Sequence, residues 1–140
     1  MNFLRFILAV VAAWFIITLG GALWHEVIFA TWYNEWVIGI TRVEMPIGYF
    51  LITHLMRALV FVYVYYMLYK GGNPIEKGLK FGFLMGILTG VTITGYYGDF
   101  LITSPGWVLL EFAYNVVRAL LVGVSTALIF GQGFRKQPAS

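Results

Sequence analysis

Apolar residues in this chain come in long, nearly unbroken runs, unlike the alternation of a half-buried strand or the narrow stripe of a soluble helix. Four runs approach the roughly 20 residues that a bilayer-spanning helix needs, at about 3–30, 48–69, 79–98 and 106–130. Helix breakers divide them. Lys70-Gly71-Gly72-Asn73-Pro74 is a stop followed by a turn, and Ser104-Pro105-Gly106 opens the last helix. The first run outlasts the apolar region of a signal peptide and has no clear cleavage pattern, so it is read as a retained span. The expected fold class is all-α: a polytopic membrane protein with a four-helix transmembrane bundle, one domain over residues 1–140.

Composition agrees with that solvent. Hydrophobic residues make up 61% and charged residues 11%, against about a quarter charged in soluble domains. Too few polar residues remain to coat a water-facing surface, so the lipid bilayer is the first partner implied. With no cysteine, disulfides, thiolate metal sites and thiol nucleophiles are excluded. The net charge of +3 is spread without a basic stripe, so nucleic acid is not an expected partner.

The cations instead mark orientation. Arg5, Lys70, Lys77, Lys80, Arg135 and Lys136 fall on one side of a chain that crosses four times, while Arg42 stands alone on the other beside Glu35, Glu44 and Asp99. Short cytoplasmic loops retain positive charge, which puts both termini and the middle loop in the cytoplasm of a bacterial-type inner or plasma membrane. Trp32, Tyr33, Trp36, Tyr49, Tyr97 and Trp107 gather at the outer interface, and Tyr65, Tyr66, Tyr69 and Phe81 at the inner one.

Small residues mark where helices meet. Gly78, Gly82, Gly86, Gly90, Thr94 and Gly98 recur every fourth residue in the third span, and Ala119, Gly123, Ala127 and Gly131 do so in the fourth. Such rows let backbones approach closely, which matters where lipid is as apolar as the protein interior. The Gly78, Gly82, Gly86, Gly90 face serves either packing within the bundle or a homo-oligomer or membrane-protein partner. A faint repeat accompanies these rows, with Pro46-Ile47-Gly48-Tyr49 preceding Arg57-Ala58-Leu59-Val60 as Pro105-Gly106-Trp107 precedes Arg118-Ala119-Leu120-Leu121. It is compatible with a two-plus-two hairpin duplication.

Both arginines lie too deep to snorkel easily. Facing lipid would cost each about 2.5–3.5 kcal/mol, so they are expected to turn inward. Glu26, Asp99 and Glu111 are the candidate partners. Glu111, Tyr114, Asn115 and Arg118 share one helix face, Thr89, Thr92, Tyr96 and Asp99 form a second stripe, and His54 stands three residues from Arg57. A polar, mixed-charge pocket or ion-pair network of Glu26, His54, Arg57, Asp99, Glu111, Tyr114, Asn115 and Arg118 is therefore expected in the outer half.

The chain resembles a family of small membrane proteins, domain of unknown function 1761. The likeness lies in Gly21-Ala22-Leu23-Trp24 running into Phe29, Trp32 and Tyr33, in the glycine-rich third span, and in Leu110-Glu111-Phe112-Ala113-Tyr114-Asn115-Val116-Val117. Where that family tends to have a Trp-Tyr pair, this chain has Trp24-His25. The resemblance implies the four-helix fold and no activity, cofactor or catalytic residue.

Three functional classes follow. The leading expectation is a noncatalytic bundle component or accessory subunit. The alternative is a binder or transporter of a small polar or amphipathic ligand in the pocket. A further alternative is a b-type haem protein with His25 and His54 as axial ligands, which two histidines alone support weakly. No phosphate-cradling loop, nucleophile elbow or His-Glu-x-x-His zinc helix is present, so catalysis is not indicated. A reporter placed after Ser140 or near Asn73 should mark cytoplasm, and one near Glu44 the exterior. Cytoplasmic labelling of the 35–44 loop would reverse that topology.

Overall fold

In the computed structural model the chain is all-α, and the structure describes residues 3–36, 46–100 and 104–131, for 34, 36 and 97–100 the backbone only. Helix α1 covers Phe3–Ala22 and continues as a π-helical turn over Leu23–Ile28. A short α2, Ala30–Trp36, follows, then α3 at Ile47–Leu68, α4 at Pro74–Phe100 and α5 at Pro105–Gly131. Four segments are long and apolar enough to cross a membrane: Phe3–Ile28, Ile47–Leu68, Pro74–Tyr96 and Pro105–Gly131. Arg42, Glu44, Arg135, Lys136 and the side chain of Asp99 lie outside the described residues.

The turns form where the breakers stand. Gly71 and Gly72 adopt φ of 87° and 106°, a left-handed backbone that glycine enters without a Cβ clash. The third span starts at Pro74 instead of near 79. Proline fits the first helical turn because its missing N–H would find no partner there, so the polar Glu76, Lys77 and Lys80 belong to the helix and not to the loop. The last span likewise opens on Pro105, with the Ser104 hydroxyl accepting the Trp107 N–H at 3.1 Å.

The helices lie side by side in the order α4, α5, α1, α3. The α4–α5 seam is the closest. A Cβ built on Gly82 would stand 2.5 Å from the Ala119 carbonyl oxygen, and one on Gly78 2.7 Å from that of Gly123. On Gly86 it would meet the Val116 Cα at 2.8 Å. The glycine row is thus covered by the chain's own last helix, whose Ala119, Gly123 and Ala127 face it. Helix α1 joins α3 and α5 through Ala9, Val10, Ala13 and Ile17, packed against Ala58, Val62 and Val122.

The fourth seam is open. Helices α3 and α4 do not pack backbone to backbone, and rings bridge them instead: Phe61 meets Phe81 at 4.9 Å between centroids and Tyr65 meets it at 5.2 Å. The α3–α4 seam is therefore held by ring contacts and is looser than the other three. Gly82→Leu and Gly86→Leu should each lower thermal stability in detergent by about 1–3 kcal/mol or more, through forced separation of α4 from α5. Val91→Leu, at an exposed site, should change it little. Equal melting of all three variants would show that the close seam does not hold the bundle.

Candidate functional site

The polar site is assembled by α5 from one face. Glu111, Tyr114, Asn115 and Arg118 are all buried, as the i, i+3, i+4, i+7 spacing requires of a single stripe. Asn115 ties the stripe together. Its amide donates to the Glu111 backbone carbonyl at 2.8 Å, and its side-chain oxygen accepts Arg118 Nη2 at 2.6 Å. The Arg118 guanidinium lies 4.8 Å from the Tyr114 ring centroid, a cation–π contact.

The π turn brings the opposing wall. An α-helical row spaced by four creeps around the axis, because a turn holds about 3.6 residues. The wider π turn at 23–28 closes i→i+5 bonds and advances less per residue, which returns His25 toward the face of Ala9, Ala13, Ile17 and Gly21. There His25 reaches Glu111, with Nε2 2.7 Å from Oε1, while Nδ1 donates to the Gly21 carbonyl at 2.8 Å. Tyr33, from α2, donates its hydroxyl to the same Oε1 at 2.5 Å. Burial holds the Tyr33 phenol far above its ordinary range and the Glu111 carboxylate adds to that, so Tyr33 stays protonated and donates to the carboxylate. Tyr114 closes the corner, its ring 4.8 Å from that of His25. A Cβ on Gly21 would stand 3.0 Å from the Tyr114 hydroxyl, so the glycine makes room for it.

Proton placement follows from the acceptors. The Gly21 carbonyl can only accept, so the proton on Nδ1 is fixed. Oε1 then receives Tyr33 and faces Nε2, an arrangement that suits a carboxylate paired with an imidazolium. Whichever atom carries the proton between Nε2 and Oε1, the pair is neutral as a unit. Glu111 is thus matched by His25.

That pairing corrects the expected one. Glu111 does not neutralise Arg118, which has no carboxylate within ion-pair distance among the described residues. The i+7 spacing puts the two on one face but two turns apart, beyond a shared contact. Arg57 is exposed on α3, without a hydrogen-bond or ion-pair partner among the described residues. It lies one turn before Phe61, whose ring meets α4, so it borders the open seam. Arg57 and His54 sit within electrostatic reach of Arg118. His54 packs edge-on against Phe50 at 4.0 Å, and its Nδ1 is buried without a partner among the described residues.

Other expected members stand apart. Glu26, next to His25, is exposed on the outer side of the π turn. Thr89 and Thr92 donate to their own helix, to the Met85 and Leu88 carbonyls, and Tyr96 is exposed. Neither threonine joins the site. Both nitrogens of His25 are engaged, so haem ligation there would require breaking the Glu111 pair or the Gly21 bond. Among the described residues no group of three or more His, Cys, Asp or Glu is placed to hold a metal ion. Tyr33 was not legible as a site residue, because only α2 folding back over the π turn brings it to Glu111.

Comparison with protein-family models, with curated proteins and with solved structures finds no match in any of the three.

A double-mutant cycle tests the pair. His25→Leu should destabilise the protein by about 1–3 kcal/mol by stranding Glu111, and Glu111→Leu should cost a similar amount by stranding Tyr33 and His25. The double variant should cost clearly less than the sum of the singles. Strict additivity would show that His25 does not compensate Glu111.

Proposed function

We propose that this protein binds an amphipathic ligand with an acidic headgroup, its anionic group held between Arg57 and Arg118. One observation carries the reading: two guanidiniums lie at mid-span without a carboxylate partner among the described residues, while the buried carboxylate nearby belongs to His25. Arg118 stands thirteen residues from each end of Pro105–Gly131, and Arg57 ten and eleven residues from the ends of Ile47–Leu68. At about 1.5 Å per residue, each is some 15–20 Å from either helix end.

Charge at that depth is costly unless something compensates it, and intramembrane ionisable groups without internal partners mark ligand or ion paths. A carboxylate or phosphate would fit both cations, since guanidinium donors form bidentate pairs with such groups. Asn115 and Tyr114 already fix the orientation of Arg118, so little ordering is left for the ligand to supply. The loose α3–α4 seam supports lateral entry from the lipid, with the ligand's apolar part lying along that seam. We assign the end bearing Arg5, Lys70, Lys77 and Lys80 to the cytoplasm on the positive-inside rule.

The exposure of Arg57 also favours a second reading, that of a noncatalytic accessory subunit. A carboxylate on a partner's transmembrane helix would then neutralise Arg57 at the seam. Arg118 is too buried for such a partner, which is why a small acid spanning both arginines is preferred.

Titrating the purified protein in neutral-lipid nanodiscs with a long-chain carboxylic acid and its methyl ester distinguishes the two. The acid should raise the melting temperature and the ester should not. Arg57→Gln and Arg118→Gln should each weaken acid binding about ten- to a hundredfold, the worth of a charge-assisted hydrogen bond. Equal effects of acid and ester would overturn ligand binding at the arginines. Co-purification of a membrane protein that is lost in Arg57→Gln alone would favour the accessory-subunit reading.

A further inference from the structure

A cleft opens in the α3–α4 seam where α3 stops and α4 begins. Its volume is about 300 Å³, roughly the share of ten water molecules, and Tyr65, Tyr69, Lys70, Lys77, Phe81 and Leu84 are among the residues lining it. Its chemistry is divided by depth. Lys70, Lys77 and Lys80 edge the cleft from the helix ends, while Phe81 and Leu84 lie farther along α4 and form an apolar wall. Lys80 is compensated, since its Nζ donates to Glu76 at 2.6 Å, whereas Lys70 and Lys77 have no hydrogen-bond or ion-pair partner among the described residues. Lys70 and Lys77 thus keep their donors free beside an apolar wall, with Lys77 also in the field of Glu76.

A buried polar group points the same way. Tyr65, only 2% exposed, is among the residues lining the cleft, and its hydroxyl has no hydrogen-bond partner among the described residues. Buried hydroxyls are normally satisfied, so a small shift that brings this one to the cleft would let it donate to a water or ligand there. Tyr65 lies three residues, about 4.5 Å, inside the end of α3.

We propose that this cleft binds the phosphate of an anionic phospholipid, with Lys70 and Lys77 as counter-ions and an acyl chain lying over Phe81 and Leu84. A cationic rim, an acceptor-seeking phenol and an apolar wall occur in the order in which such a molecule presents its groups. The α3–α4 seam leaves the cleft open to the bilayer, so the lipid enters without passing through water. The site is separate from Arg57 and Arg118 and does not depend on their role.

Native mass spectrometry of the protein released from nanodiscs tests it, with equal amounts of phosphatidylglycerol and phosphatidylcholine carrying the same acyl chains. Wild type should retain phosphatidylglycerol preferentially. Lys70→Gln/Lys77→Gln should reduce that preference about thirtyfold, and Lys70→Arg/Lys77→Arg should keep it. Tyr65→Phe should weaken retention without changing helix content. Glycerol phosphate and inorganic phosphate, added as soluble competitors, should displace the lipid poorly. Equal retention of both lipids by wild type would overturn the proposal without recourse to a variant. Displacement by millimolar inorganic phosphate would overturn the lipid as the source of the anion. In the Arg57→Gln/Arg118→Gln background, which removes retention at the arginines, Lys70→Gln/Lys77→Gln should still lower the preference about thirtyfold, and no effect of the lysine changes there would overturn a separate site at the cleft.

Discussion

Close backbone contact between α4 and α5 is the constraint on which the rest of the molecule depends. Lipid tails are as apolar as leucine, so burying an aliphatic side chain between helices brings no hydrophobic gain, and association must come from dispersion at short range. Glycine at 78, 82 and 86 allows that range, with carbonyls and Cα atoms of α5 standing where side chains would otherwise be. Once α5 is fixed against α4, its opposite face is free to carry polar groups. That face holds Glu111, Tyr114, Asn115 and Arg118, against which α1 and α2 fold.

The charge arrangement follows from geometry. A carboxylate seven residues before an arginine shares its face yet cannot touch it, so each needs a neighbour from elsewhere. For Glu111 the π turn and α2 deliver His25 and Tyr33. For Arg118 the described chain supplies dipoles and a ring, from Asn115 and Tyr114, but no opposite charge. Dipoles orient a guanidinium without cancelling it. The asymmetry leaves one half of the polar site neutral and the other cationic, and the cationic half borders the seam that the bundle leaves open.

Much of the architecture was legible in the sequence, because length and hydropathy determine spanning helices in a solvent that satisfies no backbone group. The breakers at Gly71, Gly72 and Pro105 also stood where the turns formed, and the α5 stripe was plain from its spacing. Pro74 was less so: polarity at Glu76 and Lys77 suggested loop, whereas the backbone accepts proline in a first turn and simply extends the helix beyond the apolar run. Partner choice was not legible at all. Glu111 and Arg118 appear complementary by sign and spacing, but the π turn that hands Glu111 to His25 has no hydropathy signature, and Tyr33 is distant in sequence.

Tyr114 places its hydroxyl 3.0 Å from the point a Cβ at residue 21 would occupy. Two helices far apart in the chain thus share one small volume, and neither side chain can be chosen alone. Alanine at 21 would require the Tyr114 hydroxyl to give by a few tenths of an ångström, while glycine leaves it in place. Because the same ring lies against His25 and under Arg118, a substitution at a featureless glycine reaches both halves of the polar site at once. Across divergent descendants of this chain, a larger residue at 21 would favour a compensating change at 114.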